Sequence, residues 1–337
     1  MAATAKAPPP PSLGRRLRYR LEYGLYLGFR AALACLPHAG ALALGRGFGA
    51  LVYRLKGSER RRALSNLGCA LPELDLAQRE RLALASFRQV GQSVIDTLAS
   101  LRFSTEDLEQ RLEVEGWEHV EAAHRRGRGV FILSAHLGAW EVPAYVVALR
   151  QGPLHLVSNT MKNPLFDREL RRLRALRGLE IIEKKGAARR MYRVLTAGGK
   201  VGIALDQRVA GEEAIAVPFF GRDSLTSPLP AYLSLWTGAA VVPTFGFAHQ
   251  GRYKVVFQPA LLPPEDAELE PEAIAALTRR YLEVIEAEIL RHPDQWIWMY
   301  RRWRDSDDAA SARSSLVTGV GLPPVRRRVA EEASEGR

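Results

Sequence analysis

The chain has 337 residues, of which 47% are hydrophobic and 25% are charged. That is enough apolar sequence for one large α/β domain or two smaller ones. Two cysteines, Cys35 and Cys69, exclude a disulfide framework and a structural zinc cluster, so a reducing compartment is the simpler assumption. The net charge of +11 leaves nucleic acid and anionic membranes as potential partners.

The positive charge is concentrated near the N-terminus. Residues 1–62 contain 12 lysines and arginines against two glutamates, whereas the other 275 residues contain 36 basic against 35 acidic residues. A nearly neutral main body argues against nucleic-acid binding. A basic terminal segment is typical of attachment to an anionic lipid surface.

Apolar residues alternate with these arginines between residues 15 and 57. The longest uncharged run, residues 31–45, is interrupted by Pro37 and is shorter than the roughly 20 apolar residues of a spanning helix. We therefore predict two hydrophobic helices, residues 17–36 and 39–55, that lie in the membrane interface and are joined at Pro37-His38. The alternative is a pair of core helices under a basic surface.

The remaining sequence predicts one α/β domain over residues 58–304. Residues 58–101 have helical periodicity, and residues 271–291 form a long helix. Short β-rich runs alternate with amphipathic segments between them, which predicts a mainly parallel central sheet flanked by helices. Residues 1–14 and 305–337 have little to bury and are expected to be disordered. The predicted strands are residues 129–134, 154–158, 179–182, 201–205, 240–247 and 253–258.

The first of these strands leads into a candidate catalytic pair, His136 and Glu141. Carboxyl ends of parallel strands are the usual ligand-binding edge of such sheets. A Glu141 carboxylate that accepts from His136 Nδ1 would fix the tautomer and leave Nε2 free to take a proton from a hydroxyl. This spacing alone is a weak pattern. A lipid hydrolase with Ser134 as nucleophile and a non-enzymatic peripheral membrane protein are the rival hypotheses.

Several further blocks follow in a fixed order, and together they resemble the bacterial lipid A biosynthesis (lauroyl/myristoyl) acyltransferases. These belong to the wider glycerolipid acyltransferase superfamily with its His-x4-Asp/Glu motif. The resemblance extends from about residue 20 to residue 304. Two departures are Ala139, where the family commonly has Asn, and Arg208, which follows the Asp-Gln pair. The similar blocks are Arg62-x3-Asn66, His136 to Glu141, Asn163 to Asp167, Arg174, Asp206-Gln207, Val217 to Gly221, Val241-Val242-Pro243 and Trp298 to Arg302.

The resemblance implies transfer of a fatty acyl chain to a hydroxyl of a membrane lipid. The acceptor would be a lipid A precursor or a related glycolipid or lysophospholipid. Acyl carrier protein or acyl-CoA would be the co-substrate, with no metal or other cofactor. The implied location is the cytoplasmic face of the bacterial inner membrane. The implied catalytic residues are His136 and Glu141, and the implied substrate-binding residues are Arg174, Asp206, Gln207, Arg208, Gly221 and Arg222.

Residue chemistry supports distinct roles for this second set. Guanidinium groups of Arg174, Arg208 and Arg222 match phosphate oxygens. Arg174 lies in a predicted helix over residues 168–177, and most of the five arginines of that helix are expected to be simply solvated. Asp206 is expected to orient the surroundings of His136, to bind a sugar hydroxyl or to cap a strand end. Gly221 predicts a tight turn close to the substrate.

Overall fold

A computed structural model describes residues 12–303, except residues 185, 210–213, 250, 266 and 267. The N-terminal third is helical, as predicted. Leu13 and Gly14, which were assigned to a disordered tail, instead form the first turn of α1. Residues 1–11 and 304–337 lie outside the described residues. The helices here are α1 (Leu13–Ala34), α2 (His38–Leu55), α3 (Gly57–Ala70) and α4 (Leu76–Ala99), followed by a short 3-10 turn and α5 (Thr105–Glu109).

From Leu112 to Arg291 the described chain contains both strands and helices. The strands are β1 (Leu112–Glu115), β2 (Val130–Ser134), β3 (Leu154–Ser158), β4 (Leu179–Glu183), β5 (Lys200–Ala204), β6 (Ile215–Phe219), β7 (Arg222–Thr226), β8 (Ala240–His249) and β9 (Arg252–Phe257). The helices between and after them are α6 (Trp117–Arg125), α7 (Val142–Gln151), α8 (Pro164–Ala175), α9 (Ala187–Thr196), α10 (Leu229–Thr237) and α11 (Pro271–Arg291).

Seven strands of the described chain form one sheet in the order β1-β9-β8-β2-β5-β3-β4. Only the β8–β9 pairing is antiparallel among these strands, so the predicted mainly parallel α/β sheet is confirmed. β5 inserts between β2 and β3, and Ser134 at the end of β2 pairs with Ala204 at the end of β5. The loops that follow β2 and β5 therefore emerge side by side.

Three strands were missed from the sequence. β1 has only four residues, too few for a clear alternation. β6 and β7 form a separate antiparallel hairpin, in which Pro218 weakens the strand pattern of β6. Its turn is Phe220-Gly221, and both residues have positive φ, at 51° and 71°. The predicted tight turn at Gly221 is therefore confirmed.

α2 packs closely against α4 through glycines. A Cβ at Gly49 would overlap the backbone of Phe87, and one at Gly91 would overlap the backbone of Gly45 and Gly49. This face of α2 is part of the folded body, as the alternative of core helices supposed. The opposite face exposes Leu44, Phe48, Leu51 and Leu55.

α1 is held by contacts with α8 and α4. Asn163, which caps α8, donates to the Tyr19 carbonyl at 3.1 Å, and Arg30 pairs with Glu169 of α8 at 2.5 Å. Leu33 is the buried residue of the helix. No helix among the described residues is long and apolar enough to cross a membrane. Along α1 the exposed large apolar side chains are Leu13, Leu17, Leu21, Leu25, Leu27 and Phe29.

Candidate active site

His136 lies in the loop between β2 and α7, at the carboxyl edge of the sheet. The loop is anchored on both sides of the histidine. Ala135 is buried, and the Gly138 amide donates to the Gln295 carbonyl at 3.1 Å. Gly138 has φ +57°, and a Cβ there would overlap the Gly246 carbonyl, so this close approach requires glycine. The loop therefore presents His136 in a fixed position.

Asp206 is the carboxylate that holds His136. It follows β5 and is fully buried. Its Oδ1 lies 2.9 Å from His136 Nδ1, and its Oδ2 accepts from the His136 backbone amide at 3.0 Å. Because β2 and β5 are neighbours, the two loops meet although the residues are 70 positions apart.

The prediction that Glu141 binds Nδ1 was wrong. Glu141 is the N-cap residue of α7, and its carboxylate pairs with Arg174, with Oε1 2.6 Å from Nη2. Arg174 also donates from Nη1 to Ser158 Oγ at 3.2 Å. Glu141 therefore acts on His136 only through its charge, because Asp206 already occupies the Nδ1 side of the ring.

The protonation energetics of the pair follow from burial and charge. Burial lowers the pKa of His136, but the Asp206 carboxylate and its hydrogen bond outweigh burial, so the pKa lies above the ordinary value. Burial raises the pKa of Asp206, and the charge of His136 together with three hydrogen bonds reverses the effect, so that pKa is lowered. Asp206 is therefore an anion that stabilises a protonated His136 ring.

On the other side of the ring, Nε2 contacts the side chain of Gln207. Gln207 Nε2 lies 3.3 Å from His136 Nε2. A glutamine side-chain nitrogen can only donate, so this contact fits a ring with its proton on Nδ1 and a lone pair on Nε2. The His136 side chain is 29% exposed. The geometry suits a base that receives a proton at Nε2.

The whole described fold matches one family. The model of the bacterial lipid A biosynthesis acyltransferases aligns with residues 13–305. The chain belongs to this family. It is an acyltransferase, and the hypothesis of a non-enzymatic membrane protein is thereby excluded.

Individual relatives are distant but match over most of their length. The lipid A biosynthesis lauroyltransferase of Escherichia coli is 24% identical over 300 residues, which are 88% of this chain and 95% of the relative. The myristoyltransferase of the same organism is 25% identical over 86% of this chain and 90% of its own length. The phosphatidylinositol mannoside acyltransferase of Mycobacterium tuberculosis is 24% identical over 60% of this chain and 63% of its own length.

Trp296 makes a contact in the candidate site of this acyltransferase that the sequence did not reveal. Its side chain is fully buried. In addition, its Nε1 donates to Asp206 Oδ2 at 2.9 Å. This bond fixes the carboxylate that fixes His136. A tryptophan in an aromatic cluster gives no sign in sequence of which carboxylate its indole will reach.

The predicted substrate-binding residues fall into two groups. Arg174 lies beside Glu141, while Asp206, Gln207 and Arg208 are consecutive at the end of β5. Gly221 and Arg222 lie in the β6–β7 hairpin, where Arg222 Nη1 contacts Cys69 Sγ at 3.3 Å. Within the described residues, no hydrogen bond or ion pair joins either of them to the His136–Asp206 pair. Their predicted role in binding substrate therefore stays a prediction.

The structure does not favour the rival hydrolase mechanism. Ser134 Oγ is buried and has no hydrogen-bond partner among the described residues. It therefore makes no contact with His136 that would remove its proton. A nucleophilic serine needs such a base within hydrogen-bond reach.

Proposed function

We propose that this enzyme transfers a fatty acyl chain directly from a thioester donor to a hydroxyl of a membrane lipid. The donor is acyl carrier protein or acyl-CoA, and the acceptor is a lipid A precursor or a related glycolipid or lysophospholipid. The observation that carries the proposal is the His136–Asp206 pair, in which Nδ1 is held at 2.9 Å and Nε2 contacts the Gln207 side chain, which the acceptor hydroxyl would displace. The names of the matched relatives support a glycolipid acceptor.

In the proposed reaction, His136 Nε2 removes the proton of the acceptor hydroxyl as its oxygen attacks the thioester carbonyl. The tetrahedral intermediate collapses, the carbon–sulfur bond breaks, and the thiolate takes the proton back from the imidazolium. Asp206 remains ionised and stabilises the imidazolium, as the buried aspartate does in serine proteases. The products are the acylated lipid and a free thiol.

Glu141 and Arg174 are proposed to complete the site as a charge-neutral pair. The carboxylate contributes to the raised pKa of His136, and Arg174 opposes it. The Ala144 amide at the start of α7 is proposed to stabilise the oxyanion, because Pro143 has no N–H and the Val142 amide already donates to the Ala139 carbonyl. One such donor is worth about 3 kcal/mol in other enzymes. Glu141 at the N-cap would then orient the helix start as well as tune the histidine.

We further propose that α1 and α2 attach the enzyme to the cytoplasmic face of the inner membrane. Each exposes a row of leucine or phenylalanine side chains beside arginines. Burial of each large apolar side chain is worth about 2 kcal/mol. Each basic residue near an anionic surface adds about 1 kcal/mol. Two such helices would give stable attachment without crossing the bilayer.

The test of the function is acyl transfer from a radiolabelled thioester donor to a lipid acceptor by purified His136→Ala and Glu141→Ala. His249→Ala, which removes an exposed histidine at the end of β8, is the matched control. We expect transfer to be lost in His136→Ala, to fall strongly in Glu141→Ala and to persist in the control. Full activity in both active-site variants would contradict the assignment. Release of free fatty acid without acceptor would favour the hydrolase.

A further inference from the structure

A cavity of about 460 Å³ lies next to the catalytic loops. Its described lining residues come from α3, from the segment after β5 and from the C-terminal segment. Three of the six are arginines, and none is acidic. The lining residues are Arg62, Arg208, Ile297, Met299, Tyr300 and Arg301.

The walls of this cavity are fixed by hydrogen bonds. Asn66 Nδ2 donates to the carbonyls of Trp298 and Tyr300, both at 2.8 Å, and Arg62 Nη1 donates to the Met299 carbonyl at 3.1 Å. Arg62 and Asn66, one turn apart on α3, therefore clasp the C-terminal segment. Arg62 has five N–H donors and uses one of them in this hydrogen bond. The cavity is built before any ligand arrives.

The cavity also lies close to the catalytic base, because Arg208 in its lining follows directly after the residues that contact His136. Asp206, Gln207 and Arg208 are consecutive: the first holds His136 Nδ1, the second contacts Nε2 and the third lines the cavity. The chain bends at residues 206 and 207, so Asp206 and Arg208 are separated by less than the roughly 7 Å that two fully extended residues would span. A group in the cavity and a hydroxyl at Nε2 can therefore belong to one small headgroup.

We propose that this cavity binds a phosphate monoester of the acceptor lipid and so places the acceptor hydroxyl at His136. This inference rests on the proposed function, since it specifies the acceptor of that reaction. Guanidinium groups match phosphate oxygens with paired hydrogen bonds. Three of them suit a ligand with a charge close to −2.

The charge of the ligand distinguishes its source. A phosphate monoester carries about −1.5 to −2 at pH 7, whereas the phosphodiester of a phosphopantetheine arm carries about −1. Removal of one arginine should therefore weaken binding of the acceptor more than binding of a carrier-protein donor. The consequence is a KM effect on one substrate only.

The kinetic test compares two acceptors, a glycolipid with a phosphate monoester and the same glycolipid after phosphatase treatment, in neutral detergent micelles. We expect Arg301→Gln and Arg208→Gln to raise the KM of the phosphorylated acceptor about tenfold, because each loses charge-assisted hydrogen bonds. The KM of the dephosphorylated acceptor and that of the acyl donor should not change. Arg301 is exposed, so its substitution is not expected to disturb folding.

Arg61→Gln is the matched control. It removes the same charge from an exposed position beside Arg62 that does not line the cavity. Its KM for the phosphorylated acceptor should equal that of the unmodified enzyme. An equal rise in Arg61→Gln, a rise in donor KM alone, or no rise in either cavity variant would overturn the proposal.

A binding measurement separates this proposal from the catalytic one. Full-length His136→Ala, which is expected to be inactive, should still bind soluble glycerol 3-phosphate more tightly than glycerol, and neither probe forms a lipid surface to which α1 and α2 could bind. The preference should fall about tenfold when Arg301→Gln is added. If the preference persists without the arginine, the cavity proposal fails even if transfer depends on His136. If the unmodified enzyme transfers nothing but the preference depends on Arg301, only the proposed reaction fails.

Discussion

The edge of the sheet around Asp206 and the outer faces of α1 and α2 break the usual burial pattern of a folded protein in opposite ways. The first region buries charge: Asp206 is fully buried and Glu141 pairs with Arg174 in a recess. The second region exposes apolar side chains, with Leu21 and Leu25 about two-thirds exposed. Charged residues are rarely buried, and clustered leucines are rarely exposed, unless something compensates them.

The compensation differs between the two regions. At the sheet edge it is inside the protein, because three donors satisfy the Asp206 carboxylate. On α1 and α2 no such partner exists among the described residues, and the proposed membrane would supply it. The buried charge therefore indicates the candidate active site, and the exposed leucines indicate the proposed membrane-binding surface. Residues of each region can be substituted separately. Substitutions in the first region should change acyl transfer, and those in the second should change membrane binding.

The largest effect is expected from Asp206→Asn. The amide cannot stabilise an imidazolium and offers one acceptor to three donors, so kcat should fall about 1,000-fold. Acyl-transfer kinetics measure the loss, and thermal unfolding checks that the fold persists. Asp75→Asn is the control, because an asparagine caps α4 as well as an aspartate does. A loss below tenfold would mean that Asp206 is only structural.

Glu141→Gln should reduce kcat about 100-fold. It leaves Arg174, which is 13% exposed, without its carboxylate partner, and this unpaired charge next to His136 disfavours the imidazolium. The pair can be tested by a double-mutant cycle with Arg174→Gln. We expect the double variant to be more active than the product of the single losses predicts. Simple additivity would show that the two side chains act independently.

In the second region, Leu21→Gln should weaken binding to anionic vesicles about 30-fold, since about 2 kcal/mol of apolar burial is lost. Co-sedimentation with vesicles measures the change. Leu176→Gln is a matched control, because Leu176 is 69% exposed against 65% for Leu21 but lies at the end of α8. Equal losses in both variants would contradict attachment through α1. Catalysis of a soluble acceptor should be unaffected in either.

The smallest effect is a change in the pH profile. The Asp206 charge raises the pKa of His136, and only the neutral ring is a base, so activity should fall as the pH drops through this raised value. In Asp206→Asn the pKa is lower, so the acidic limb of kcat should move to lower pH while the maximum falls. A shift to higher pH, or no shift, would mean that the acidic limb of the pH profile does not report the titration of His136.

Individual helices and strands show how much of the fold could be predicted from the sequence. Helix 271–291 was predicted with its observed bounds, and Leu154–Ser158 likewise, because strong periodicity and flanking breakers define them locally. The β6–β7 hairpin was missed, because Phe220-Gly221 is not a common hairpin turn and Pro218 weakens its strand. Local sequence patterns do not predict short strands whose formation depends on pairing with another strand.

The sequence by itself determined the fold class, the family and the histidine of the site, because these are carried by local patterns and by motif order. Only the tertiary structure decided which carboxylate holds that histidine. Glu141 is five residues away along the chain, but the start of α7 directs it to Arg174. Asp206 is 70 residues away, and the insertion of β5 beside β2 brings it to Nδ1. Strand order is a long-range property, so no spacing within one motif could reveal the pair.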